Sequence, residues 1–118
     1  MDQPTLFEPS EKNRSFKIED LLLYALGEFQ ARGKALAGRE LPLDRLRGAL
    51  RRAAETLNVA ELNDEQAAAA FAHIGAQVRR VPPFVAKHPF RVTVPAAVAE
   101  RARQFYDEWL AQRRENDE

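Results

Sequence analysis

The 118-residue chain contains no cysteine. That absence excludes disulfides, thiolate metal sites and cysteine nucleophiles together. A small domain without covalent staples suits a reducing compartment, so a cytoplasmic location is expected. Histidine is scarce as well, occurring only as His73 and His88. On a helix His73 would need a second ligand about three or four residues away, and those positions hold Ala69, Ala70, Ala76 and Gln77. No metal site and no cofactor are therefore expected. Serine occurs only at Ser10 and Ser15, and no G-x-S-x-G elbow exists, which removes the usual serine nucleophile. No apolar run approaches the ~18 residues needed to span a bilayer. Met1 to Ser15 is polar, carries Pro4 and Pro9, and has no basic stretch followed by an apolar one, so no secretory signal is expected.

What is present suffices for one folded domain. Hydrophobic residues are 45% of the chain and charged residues 31%, an ordinary globular balance that argues against disorder throughout. The formal net charge is zero, but the charge is segregated. Residues 31–52 hold seven Lys or Arg against two Asp or Glu, and residues 79–103 hold six against one. Between them, residues 53–78 hold four acids and no Lys or Arg, and both ends of the chain are net acidic. Two basic blocks thus flank an acidic one. The plain reading of such blocks is solvated helix faces.

Periodicity divides the chain into a disordered leader (1–15), a single helical domain (16–112) and a charged tail (113–118). Ile18, Leu22, Ala25, Leu26 and Phe29 form one apolar face of a first helix. It is capped by Ser15, and Glu19 and Asp20 sit in its first turn, where the helix dipole favours acids. Leu21, Leu23 and Tyr24 widen that face, so this helix is expected to be the most buried; Gly33 weakens its end and Gly38 is a natural stop. A second helix runs from Pro42 to Leu57 on a stripe of Leu43, Leu46, Leu50, Ala53 and Leu57. A third starts at Asn63, which forms a capping-box pattern with Gln66, and turns Ala67, Ala70, Phe71 and Ile74 inward. Gly75 is a good stop, after which Gln77 to Val81 reads as a strand. The competing reading continues the helix to Pro82, at the cost of an internal glycine, about 1 kcal/mol. Phe90, Val92 and Val94 alternate with Arg91 and Thr93, a half-buried strand signature. Pro95 then opens a last helix with Val98, Ala102, Phe105, Tyr106, Trp109 and Leu110. The fold class is mainly α: four helices with a β-hairpin before the last. Leu22, Phe29, Leu46, Leu50, Phe71 and Phe105 are the expected core.

No constellation in the chain carries catalysis, and the protein is not expected to be an enzyme. Glu19-Asp20, Asp64-Glu65 and Asp107-Glu108 are adjacent carboxylates. On a helix neighbours point about 100° apart, so these are helix-terminal or surface charges and not facing acid–base pairs. Gly27 and Gly33-Lys34 approach a phosphate loop. However, five residues separate the glycines and Ala35 follows the lysine, where the motif needs four and a Ser or Thr. No nucleotide or other small-molecule site is expected.

Two resemblances bear on function. The order helix, helix, capped helix, hairpin and C-terminal helix resembles that of a winged-helix domain. It implies a nucleic-acid-binding regulator in which Arg79, Arg80, Lys87 and Arg91 lie on the wing and contact phosphates, with Arg45, Arg51 and Arg52 in support. The helix that would enter the groove offers Asp64, Glu65, Gln66 and alanines, and acids there repel phosphate. Phe90 to Trp109 resembles the strand and first helix of ribbon-helix-helix proteins. It implies a homodimer paired through the 90–94 strand, although the second helix of that fold is missing. Phe105 and Tyr106 are adjacent, as are Trp109 and Leu110, so one core cannot cover them all, and Tyr106, Trp109 and Leu110 become the candidate partner surface. The favoured expectation is a non-catalytic interaction or adaptor module, binding a protein or itself through the C-terminal helix and the 90–94 strand. The nucleic-acid regulator is the alternative, and an enzyme of unrecognised type comes third.

Overall fold

The computed structural model describes residues 18–82, 84 and 89–117, the side chains of 115–117 excepted. The leader, the Ser15 cap and Lys87 lie outside the described residues. The elements are α1 (residues 18–31), β1 (Glu40–Pro42), α2 (Leu43–Leu57), α3 (Asp64–His73), β2 (Gln77–Arg80), β3 (Phe90–Thr93) and α4 (Ala96–Asp117). The helix α4 thus carries the backbone of the charged tail through Asp117. The three strands form an antiparallel sheet in the order β1-β3-β2. Helix, strand, two helices, a two-stranded wing and a closing helix make a winged-helix-like domain that is mainly helical.

The local signals explain most boundaries. Asn63 and Gln66 form both halves of the capping box: the Asn63 side chain accepts from the Gln66 N–H at 2.8 Å, and the Gln66 side chain from the Asn63 N–H at 2.9 Å. The helix α3 ends at His73, and Gly75 takes a φ of +108°, which a glycine adopts without the Cβ clash that strains other residues. The chain then turns into β2, so residues 77–80 are strand and not continued helix. Phe90, Val92 and Val94 are buried and Arg91 and Thr93 half exposed, as alternation requires.

Four expectations need correction. The helix α1 ends at residue 31, where the chain turns through Gly33 at a φ of +87°, and does not run on to Gly38. The strand β1 went unread, because Glu40-Leu41-Pro42 is too short to show alternation. Pro42 is the N-cap of α2 and not part of it. Proline ends an edge strand without breaking the ladder, since its missing N–H is not needed there. Leu50 and Phe105 are only partly buried, whereas Leu22, Phe29, Leu46 and Phe71 are in the core. The buried face of α2 runs through Leu43, Leu46, Ala49, Ala53 and Ala54. It is rotated toward two alanines that allow close approach, which leaves Leu50 and Leu57 at the margin. Finally, β3 is the central strand with both edges paired inside the chain. A second copy could not add to the 90–94 strand without opening the sheet, so the ribbon-helix-helix pairing does not hold.

The helix α1 is the spine of the domain, buried from Leu21 through Phe29. The helix α4 runs antiparallel along it: Gln30 donates its side-chain N–H to the Ala99 carbonyl at 2.9 Å, and Tyr24 meets Tyr106 and Trp109 edge-on with ring centroids 5.1 Å apart. Gly27 lies against Ala102 and Tyr106 at the closest approach.

Candidate functional site

The charges nominated by the sequence and the acids that answer them lie on α3, the wing and the outer face of α2. The outer face of α3 holds Glu65, Gln66, Ala69, Ala72 and His73, all exposed, and its last residue, His73, is the sole basic type on it. Beside it, Ile18, Leu62, Ala69, Ala70 and Ile74 line a largely apolar groove of about 350 Å³. The helix's two acids are matched from neighbouring elements. Arg47 of α2 pairs with Asp64, and Arg80 of β2 donates to Glu65 at 2.6 Å.

The sequence-nominated cations fall into separate places. On the outer face of the sheet, Arg79 forks onto Glu40 of β1 with bonds of 2.9 and 2.8 Å. Those bonds hold the Glu40 carboxyl below its ordinary range, helped by the charges of Arg79 and Arg91. Arg91 itself is half exposed and donates to the Phe90 carbonyl at 3.4 Å. Arg80, besides its bond to Glu65, lies over the Phe90 ring at 4.8 Å. Val81 donates to the Pro89 carbonyl at 2.7 Å and closes the base of the wing, on which Phe84 stands 89% exposed. Arg51 pairs loosely with Glu61 at 3.7 Å. Thus Arg79, Arg80 and Arg91 share the wing, but the first two are committed to acids of this chain, and Arg45, Arg51 and Arg52 lie elsewhere.

Arg52 serves the interior. Its guanidinium makes three bonds of 2.9 to 3.0 Å to both oxygens of Glu28, a carboxylate on α1 that is 9% exposed. These bonds keep the Arg52 pKa above its usual value. No sequence signal marks this pair, because 24 residues separate the partners. Replacing Arg52 with alanine should destabilise the fold by about 2 kcal/mol in urea denaturation. Orphaning one member of a buried pair costs about 3–5 kcal/mol, and here the Arg52 side chain is 39% exposed. Arg32 also remains 3.6 Å from Glu28. An unchanged midpoint would mean that water satisfies Glu28.

The aromatic candidates are half-buried. Tyr106 and Trp109 pack on Tyr24 and join the core, and Arg113 lies over the Trp109 ring at 5.1 Å. Leu110 is also half-buried. Among the described residues, no group of three or more His, Asp and Glu side chains could hold a metal, and no helix is long and apolar enough to cross a membrane. His73 is exposed and His88 lies outside the described residues.

Frame and surface together define a mainly helical domain of winged-helix-like element order whose third helix is acidic and alanine-rich. Comparison with protein-family models, curated proteins and solved structures finds no match for the chain.

Proposed function

We propose that this domain is a non-catalytic protein-interaction module built on a winged-helix-like frame, working in the cytoplasm. The observation that carries the reading is the surface of α3. Where a duplex-reading helix would offer cations and long polar side chains, α3 offers Glu65, Gln66, Ala69 and Ala72. The arginines nearest to it, Arg47 and Arg80, are bound to its own acids. A phosphate would have to displace those carboxylates and would then face them. Pairing through the 90–94 strand is not part of the proposal. The candidate partner surface on α4 (Tyr106, Trp109 and Leu110) stays in it only where those half-buried rings reach solvent.

The alternative, a nucleic-acid regulator, draws support from the wing, where Arg79, Arg80 and Arg91 share one hairpin. Sedimentation of the protein, alone and with duplex DNA at two salt concentrations, separates the two readings. Each phosphate neutralised by the protein contributes about −0.9 to the slope of log affinity against log salt. The expected result is weak duplex binding that the triple change of Arg79, Arg80 and Arg91 to Gln leaves almost untouched. Tight binding whose slope flattens by up to about three units in that variant would overturn the proposal. The runs without DNA report whether α4 pairs with a second copy.

A further inference from the structure

On the side where α1 ends against α2, a cleft of about 240 Å³ has Phe29, Gly48 and Ala49 for its floor and Arg32, Lys34, Arg45 and Arg52 around it. Four cations meet there, Arg32 and Lys34 from the connection after α1 and Arg45 and Arg52 from α2. Among the described residues one acid, Glu28, pairs with any of them, and Arg52 already binds both of its oxygens. Six arginines elsewhere, Arg47, Arg51, Arg79, Arg80, Arg101 and Arg103, each have a carboxylate of this chain. Lys34 and Arg45 make no ion pair among the described residues, and both are exposed. Like charges gathered at one concave place, with their counter-charge used up, produce a positive field focused by low-dielectric walls.

We propose that this cleft is the docking site for an acidic peptide segment of a partner protein. Carboxylates of the segment meet Lys34 and Arg45, and an apolar side chain rests on Phe29 and Ala49. The inference rests on the interaction-module reading and names the chemistry of the partner. Two features favour a peptide over a nucleic-acid backbone. The floor is apolar, which suits a side chain and not a sugar-phosphate. Gly48 leaves the floor open: beyond its own helix backbone, the one heavy atom of the described residues within 4 Å of a Cβ there is Arg52 Nη1 at 3.4 Å. A phosphate backbone would also need cations continuing along the surface, and α3 supplies none but His73.

The test uses the full chain and a variant with Lys34→Gln and Arg45→Gln. Both side chains are exposed and have no ion pair among the described residues, so the variant should keep the parent melting temperature. Fluorescent polyglutamate is titrated against each protein, and a random peptide library is selected on the parent. We expect saturable polyglutamate binding, a selected pool enriched in Asp and Glu, and a loss of about tenfold or more in affinity for both probes in the variant, as two charge contacts would give. A neutral or basic pool, or one that binds the variant equally well, would overturn the cleft while leaving an interaction module with its surface elsewhere. An empty selection with no polyglutamate binding would overturn it as well. Duplex DNA that binds tightly, and loses that binding in the variant, would sink both the cleft's assignment to peptide and the interaction-module reading.

Discussion

Alanine at position 27 is expected to lower the unfolding free energy by about 3 kcal/mol, at the upper end of what overpacking costs. In an exposed helix the same change would stabilise by about 1 kcal/mol, since glycine is the poorer helix former. Geometry decides the sign. A Cβ on Gly27 would lie 2.4 Å from the Tyr106 Cβ and 2.5 Å from the Ala102 carbonyl oxygen. Neither atom can swing aside by a rotamer change, because one is the root of a side chain and the other is backbone. The helix α4 would have to move off α1, loosening the Tyr24 contacts with Tyr106 and Trp109 and the bond from Gln30 to Ala99. Gly48→Ala provides the control. Its nearest neighbour is the far end of a flexible arginine at 3.4 Å, so it should gain about 0.5–1 kcal/mol. Chemical denaturation of the two variants should shift in opposite directions, and parallel shifts would show that α4 does not press on Gly27.

Phe71→Ala should cost about 3–5 kcal/mol, as expected for a fully buried phenylalanine whose cavity cannot collapse. Phe71 is 0% exposed and anchors α3 to the core among Ala67, Ala68 and Ile74. Alanines cannot lean in to fill the gap, so little relaxation is available to soften the loss. The reading of α3 as an outward-facing surface depends on this anchor, because the same short helix turns Ala69, Ala72 and Glu65 outward. Phe84→Ala, at a site 89% exposed, should change stability by no more than about 0.5 kcal/mol. Equal midpoints for the two variants would place α3 wrongly.

Much of the frame is legible in the sequence. The α3 capping box, the Gly75 stop and the Phe90–Val92–Val94 alternation are local signals, each complete within a few residues, and each reappears in the structure. The helical stripe of α1 is equally local. In the wing, alternation marked the 90–94 strand, whereas residues 77–81 were open between strand and continued helix until the turn at Gly75 decided for the strand.

The sequence by itself determined the four helices, the two strands of the wing and their order, though not β1. It could not determine which charges were already taken. Arg79 with Glu40 and Arg52 with Glu28 are separated by 39 and 24 residues, and only the packing of sheet and helices brings them within a bond. The same packing makes β3 central and so closes the strand pairing that its edge-like pattern suggested. It also collects Arg32, Lys34, Arg45 and Arg52 into one cleft out of a basic block that read as a solvated face. Periodicity records which side of an element is apolar. Which element lies opposite, and therefore which charge is neutralised, is decided by tertiary contacts between residues far apart in the chain.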